Sequence, residues 1–242
     1  MPSLELYHKG LDYSYAPGLF PCMEAIKKRP DLVRRVLVSS KLQGTGAASE
    51  LFALCEANHI RTEPADRMLA RLSGKENVFA AAVFDKEEGK LSEGIMHLVL
   101  HHPSDKGNMG TILRTALGFG FIDIAIIRPA ADHFDPHVIR ASMGALFSLR
   151  IKCYEDFDSY RDEHPSRALF PFMLTGAVSP EDASLQVHGP YALIMGNEGS
   201  GLPENFASLG QAVRIPHSGS IDSLNLSIAA GIGMYVFAKS TL

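Results

Sequence analysis

Short apolar runs of strand length and stretches with helical spacing take turns along this chain. Tyr191–Met195 is wholly apolar, and Val78–Phe84, His97–Leu100, Ile122–Ile127, Leu149–Cys153, Leu169–Thr175 and Ala212–Ile215 are further runs of this kind. Arg35–Ser39 and Ile60–Thr62 are shorter, β-branched versions. Bounded apolar runs of this length predict buried strands. Between them, Met23 and Ile26 predict a helix over Phe20–Lys28 that Pro30 closes, and Leu51, Leu54 and Cys55 predict one over Ala47–Asn58. Asp66 is placed to cap a helix carrying Met68, Leu69 and Leu72 that stops at Gly74. Further helices are predicted from about Gly110 to Gly118, from Pro136 through Ala145, and after Ser223-Leu224-Asn225. The last of these carries Ala229, Ala230, Gly231 and Gly233, small residues that admit a close backbone crossing. The first ~20 residues lack periodicity and are predicted to be irregular.

Strand–helix alternation of this sort defines an α/β protein whose sheet is parallel and covered on both faces. Ligands on such sheets bind at the carboxyl ends of the strands. The loops at 101–110, 196–202 and 216–223 all follow strands and are expected to converge there.

Composition changes the picture in two places. Asp85–Glu93 (DKEEGKLSE) is charged and almost free of large apolar residues, which predicts a linker between a domain at 1–88 and one at 94–242. The formal charge of −4 argues against a protein that coats nucleic acid indiscriminately. Residues 1–90 nevertheless hold 13 Lys/Arg against 12 Asp/Glu, and the basic residues cluster at Lys27, Lys28, Arg29, Arg34 and Arg35. That cluster is either a solvated helix end or an RNA-binding patch. Cys22, Cys55 and Cys153 fit no metal spacing, no apolar run is long enough to span a membrane, and the N-terminus is too polar for a secretory signal. The expectation is a cytoplasmic protein with reduced thiols, no bound metal and no membrane partner.

Three loops are candidates for chemistry. Asn108 stands where a helix N-cap would, and Arg114 follows on the first turns, either as a structural ion-pairing residue or as a guanidinium gripping phosphate or ribose oxygens. The Gly196–Leu202 loop has three glycines in six positions, so its backbone can close directly on a ligand around Glu198. It is neither a Walker loop nor a dinucleotide fingerprint. The third loop holds Ser223 and Asn225, with Asp222 or Ser223 as the expected cap of the final helix. Ser223 fits no hydrolase pattern as a nucleophile. Arg140-Ala141-Ser142-Met143-Gly144-Ala145 is a small-residue helix end, and His101, His102 and His217 are expected as loop histidines.

Taken in order, the blocks NMGTILRTALGFG, IMGNEGSGLP and IPHSGSIDSLNLSIAAGIGMY resemble the three motifs of the SpoU/TrmH branch of the SPOUT methyltransferases, and RASMGALF resembles the stretch between the first two. The resemblance implies transfer of a methyl group from S-adenosyl-L-methionine to a ribose 2′-hydroxyl of RNA. It implies a C-terminal domain with a parallel sheet and a deep trefoil knot, a small N-terminal α/β domain similar to a ribosomal protein that binds substrate, and a homodimer. On it, Asn108, Arg114, Glu198, Ser223 and Asn225 are the expected catalytic set. Thr175, Gly176, Gly196, Asn197, Glu198, Gly201, Ile215, Pro216, Ser223, Leu224 and Asn225 are expected to hold the cofactor. Lys27, Lys28, Arg29, Arg114 and Arg140 are expected to touch RNA. Ribosomal RNA leads as substrate because of the extra N-terminal domain. Transfer RNA is the alternative, and so is a non-catalytic RNA-binding or assembly factor on the same fold.

Overall fold

The computed structural model describes residues 4–42, 46–73 and 78–239. In chain order its strands and helices are β1 (Tyr13–Pro17), α1 (Leu19–Lys28), β2 (Val33–Val38), α2 (Ala47–Ala57), β3 (Thr62–Pro64), α3 (Asp66–Ser73), β4 (Ala80–Asp85), β5 (His97–His101), α4 (Lys106–Gly118), β6 (Asp123–Ile127), α5 (Pro136–Ala141), β7 (Arg150–Tyr154), α6 (Phe157–Glu163), β8 (Ala168–Pro171), α7 (Pro180–Ser184), β9 (Tyr191–Met195) and α8 (Leu226–Lys239). They form two compact units.

The first unit comprises residues 1–87 together with 132–148. Its sheet has the order β1-β4-β2-β3, with β4 antiparallel to both neighbours and β2 parallel to β3. Tyr13, Tyr15, Leu37, Leu69, Val78, Ala81 and Val83 form its core on one face. The opening segment is not irregular throughout, because Tyr13–Pro17 pairs with β4 as an edge strand. Gly74, the expected stop of the third helix, lies outside the described residues. Asp66 does not cap that helix through its side chain. Its Oδ1 instead accepts from Ser39 Oγ (2.6 Å) and the Ser40 amide (3.0 Å).

The expected division into 1–88 and 94–242 does not allow for the excursion at 132–148. Phe134, Val138, Ile139, Leu146 and Phe147 are all buried there. Phe147 meets Phe84 edge-on at 4.9 Å, and Ser14 Oγ donates to the Phe134 carbonyl at 2.5 Å. An apolar segment has thus found its partners on the sheet of the first unit. The helix expected through Ala145 ends at Ala141. Met143 and Gly144 follow at positive φ (54° and 81°), and a turn of 3-10 helix covers Ala145–Ser148.

The second unit comprises residues 88–131 and 149–242. Its sheet, in the order β7-β6-β5-β9-β8, is parallel throughout. Val99, Ala125, Ile127, Ala192 and Ile194 point to one face, where Tyr154, Phe157, Tyr160 and Phe206 cover them. On α4, Met109, Ile112, Leu113 and Ala116 are buried, as are Ala230, Met234 and Phe237 on α8. Strands β5 and β9 are neighbours, yet the chain leaves β5 for β6 on one side and reaches β9 from β8 on the other. The crevice between their carboxyl ends is therefore a topological switch point.

The run at Ala212–Ile215 makes only isolated bridges rather than a strand. Val213 N donates to Pro171 O (2.8 Å), Met173 N donates to Val213 O (2.8 Å), and Arg214 N donates to Val178 O (2.9 Å). One short segment is thus bonded to both limbs of the loop 171–178. Gly176 makes this crossing possible: a Cβ there would lie 2.5 Å from the Val213 carbonyl carbon. The small residues of α8 serve a different end from the expected backbone crossing. A Cβ on Gly233 would meet the ring of Phe172 at 2.7 Å.

Candidate active site

The switch-point crevice is built from three loops. The first is the β5–α4 connection. Asp105, not Asn108, is the N-cap of α4: its Oδ1 accepts from the Asn108 amide at 2.7 Å, so the helix begins at Lys106, a turn before the expected Gly110. This frees the Asn108 side chain for longer contacts. The second loop, after β9, is shaped by Asn197. Its Oδ1 accepts from the amides of Gly199 (2.9 Å) and Ser200 (3.1 Å), and its Nδ2 donates to the His102 carbonyl (2.8 Å). The loop closes where Gly196 passes Gly201, with room for no Cβ: one would stand 2.3 Å from the Gly201 carbonyl carbon. The third loop ends at Asn225, whose Oδ1 accepts from the Ser227 amide (2.8 Å) and hydroxyl (2.7 Å). Asn225 therefore caps α8, and neither Asp222 nor Ser223 does.

Glu198 ties the first two loops together. Its carboxylate accepts from the Ser104 amide (3.0 Å) and hydroxyl (2.8 Å), the Asp105 amide (3.1 Å) and Asn108 Nδ2 (3.4 Å). Burial is the largest influence on this carboxyl and opposes its ionisation. The amides of Ser104, Glu198 itself and Asp105, with the Ser104 hydroxyl, outweigh it and hold the group below the ordinary carboxylate value. Asn225 Nδ2 donates to Asn108 Oδ1 at 3.0 Å, which joins the third loop to the same chain. Glu198, Asn108 and Asn225 thus form one continuous polar path across all three loops.

Beside this path lies a cleft of about 270 Å³. Met173, Leu174, Met195, Leu202, Ile215 and Leu224 supply its apolar lining. Of the expected cofactor residues, Thr175, Gly196, Asn197, Glu198, Gly201, Ile215, Ser223 and Leu224 line it, whereas Gly176, Pro216 and Asn225 do not. Arg114 is exposed on α4 and makes no hydrogen bond or ion pair with a described residue. Its guanidinium is free for a ligand, which the ion-pairing alternative does not accommodate. Arg140 lies half-buried on α5, in the first unit.

The basic cluster of the first unit is largely engaged within the protein. Lys27 pairs with Glu50 (2.7 Å), Arg29 with Asp31 (2.9 Å) and Glu87 (3.2 Å), Arg34 with Asp12 (2.8 Å) and Asp85, and Arg35 with Glu63 (2.9 Å). Lys28 alone of that cluster is exposed without such a partner among the described residues. Ser104 and Asp105 are not among the expected site residues, although Ser-Asp just ahead of a helix is a capping signal. Met173, Leu174 and Arg214 reach the cleft through the crossing at Val213, and Glu204 through the 3-10 turn after the glycine loop, neither of which has a local signature in the sequence.

The fold is that of known RNA methyltransferases. An AdoMet-bound rRNA methyltransferase from Sinorhizobium meliloti superposes with a TM-score of 0.79 at 24% identity, over 96% of this chain and 88% of that one. The SpoU methyltransferase AviRb from Streptomyces viridochromogenes, in complex with AdoMet, does so at 0.79 and 23%, over 95% and 91%. The SpoU rRNA Methylase family model matches residues 95–235, and the chain belongs to that family. Among relatives, the 23S rRNA (uridine(2479)-2′-O)-methyltransferase of Streptomyces viridochromogenes is 31% identical over 62% of this chain and 55% of its own length. The 23S rRNA (guanosine(2553)-2′-O)-methyltransferase RlmP of Bacillus subtilis is 26% identical over 88% and 84%. The chain spans 26% and 55% of the first two relatives it matches.

Proposed function

We propose that this protein transfers a methyl group from S-adenosylmethionine to a ribose 2′-hydroxyl of RNA, with ribosomal RNA as the substrate. The observation that carries this reading is the polar path Glu198–Asn108–Asn225 beside the cleft, with a free Arg114 on the same helix as Asn108. The cleft fits the cofactor in kind: an apolar lining for adenine, and glycine backbone at Gly196 and Gly201 on the lining, where no side chain stands between the main chain and a ligand. When bound, S-adenosylmethionine supplies an electrophilic methyl group on a sulfonium. Thr175, Gly196, Ile215 and Leu224 would hold it, while Asn197 shapes the loop against it. Glu198 fixes the β5–α4 loop, and Asn108 and Asn225 fix one another. Arg114 grips the ribose and its adjacent phosphate, for which a planar fork of donors is suited. With a pKa of about 12.5–13.8 a guanidinium does not serve as a base at neutral pH, so Arg114 acts by orienting the 2′-oxygen and offsetting its growing negative charge. Much of the rate then comes from positioning, worth about 7–11 kcal/mol in well-oriented systems.

Several finer points belong to the same proposal. The bonding of Val213 and Arg214 to both limbs of the 171–178 loop supports a threaded, knotted chain. The first unit, residues 1–87 with 132–148, supports a substrate-binding domain, and the second, 88–131 with 149–242, a catalytic domain. Lys28, exposed and without an ion-pair partner among the described residues, is the first unit's best RNA contact in the basic cluster. Ile228 and Tyr235, about half exposed and two turns apart on α8, support a homodimer through that helix. The names of the Streptomyces and Bacillus relatives favour ribosomal over transfer RNA. Such a protein works in the cytoplasm.

The test is methyl transfer from labelled S-adenosylmethionine to unmodified ribosomal and transfer RNA by wild type and Arg114→Ala. Label in alkali-resistant dinucleotides from ribosomal RNA, lost by at least about 100-fold in the variant with an unchanged melting temperature, is the expected result. Label on a base, or only on transfer RNA, corrects the substrate. Cofactor binding without transfer to free RNA directs the same assay to partly assembled ribosomal particles, and no cofactor binding at all leaves the RNA-binding-factor reading.

A further inference from the structure

Resting on the cofactor assignment above, we infer that Arg214 and Glu204 hold the two charged groups of the cofactor's amino-acid tail, Arg214 the α-carboxylate and Glu204 the α-ammonium. Both residues line the cleft, and both are exposed. Neither side chain has a hydrogen bond or ion pair with any described residue. This sets them apart from their neighbours. The other carboxylate on the lining, Glu198, is engaged by Ser104, Asp105 and Asn108. The remaining titratable side chain there, His217, has Nδ1 3.0 Å from the Ile215 carbonyl oxygen.

The backbones of the two residues are fixed while their charges are left free. Arg214 N donates to Val178 O at 2.9 Å, one residue past the crossing at Val213. Glu204 opens a 3-10 turn over Glu204–Ser208, held by the Phe206 amide on the Pro203 carbonyl (3.0 Å). The ring of Phe206 anchors that turn, packing on Phe157 (4.7 Å) and His101 (5.0 Å). One cation and one anion, unpaired and lining a single cleft, suit a zwitterion. An RNA phosphate would gain from Arg214 but meet repulsion from Glu204, so a polyanion fits the pair less well. The guanidinium fork matches a carboxylate with two parallel donors, and the Glu204 carboxylate accepts from an ammonium.

The experiment is calorimetric titration of the full chain with three probes: S-adenosylmethionine, S-adenosylhomocysteine and 5′-methylthioadenosine, which lacks the amino-acid tail. Wild type is expected to bind the first two at least about tenfold more tightly than the third. Arg214→Met is expected to weaken the two tailed ligands by about 10- to 100-fold and leave 5′-methylthioadenosine within twofold. Glu204→Gln should do the same to a smaller extent. Equal losses for all three ligands would assign the residues a structural role and overturn the inference. So would unchanged affinity for all three, and if Arg214→Met then weakened RNA binding, the guanidinium would be a phosphate contact. Wild type binding all three probes equally defeats the tail assignment alone, whereas wild type binding none defeats the cofactor reading itself.

Discussion

The two ends of strand β5 carry polar networks of opposite design. At its amino end His97 is fully buried, with Nδ1 3.0 Å from the Tyr160 hydroxyl and Nε2 2.8 Å from the Ser92 carbonyl. Arg167, also buried, donates to the carbonyls of Ile95, Ser92 and Glu93, and His164 Nδ1 lies 3.2 Å from Glu93 Oε1. Asp123, buried on the neighbouring strand, is gripped through both oxygens by Arg150 (2.6 and 2.9 Å). At the carboxyl end, Glu198, Asn108 and Asn225 also bind one another, but Glu198 lines a cleft that it shares with Glu204 and Arg214, whose side chains make no ion pair among the described residues. The first network lies away from the cleft and clamps a chain segment, with Arg167 Nε its unpaired atom among the described residues. The second fixes loops while leaving hydrogen-bonding capacity for something else. Most buried polar groups find partners in either case, so what distinguishes a site from a clasp is spare capacity that opens on a cleft, not the presence of polar residues.

The largest expected effects come from breaking each network at its centre. In Glu198→Gln an amide NH2 must face N–H or O–H donors on one side, since Ser104, Asp105 and Asn108 all donate to the carboxylate. The loops shift, and the methyl-transfer rate should fall on the order of 100-fold, with only a small change in the urea midpoint. Arg167→Met should do the reverse. It leaves the Ile95 and Glu93 carbonyls without their donor, while the Ser92 carbonyl keeps His97, at about 1–3 kcal/mol for each that stays buried. The urea midpoint should drop sharply while cofactor affinity per folded molecule is kept. If Arg167→Met lost cofactor binding with its stability intact, the separation between the two ends would be wrong.

This contrast was only half legible in the sequence. The cleft end was, because its three loops are glycine- and polar-rich stretches directly after strands, and the parallel sheet forces such loops together. Even there Asp105 was passed over as the cap, since Asn108 is an equally good capping residue three positions on. The amino-end clasp was not legible at all. His97 and Tyr160 are 63 residues apart, and Arg167 and Ser92 are 75 apart. A lone histidine opening an apolar strand gives no hint of what it meets. The excursion at 132–148 was missed for a related reason. Helical spacing after Pro136 says that a face is apolar, not which sheet it covers. The basic cluster at 27–35 was legible as charge but not as pairing, because charge counts do not reveal that Glu50, Asp31, Asp85 and Glu63 sit opposite.

Acid titration separates the two ends by a smaller but signed effect. His97 is pushed down from 6.5 to about 4, first by burial and then by the positive charge of Arg167. His101, at the other end of the strand, is pushed down to about 4 by burial and then by His102, whose ring stacks on it at 3.8 Å. Each imidazole is neutral in the folded protein at pH values where the unfolded chain would already bind a proton. Stability is therefore whole above the ordinary value and falls as pH drops from about 6.5 toward 4, by up to about 1.4 kcal/mol per pH unit for each group. Carboxyls held low, Glu198 among them, contribute their own loss only further down, below about pH 5. Urea midpoints between pH 7.5 and 5 for wild type, His97→Asn and His101→Asn read the histidine contribution. Removing His97 should lower stability at pH 7.5 and flatten the slope, because its ring makes two buried hydrogen bonds that asparagine cannot both replace. Removing His101 should flatten the slope with less loss at pH 7.5, since its buried Nδ1 has no partner among the described residues. Equal losses at pH 7.5 would mean that the carboxyl end of the strand is clamped as firmly as the amino end.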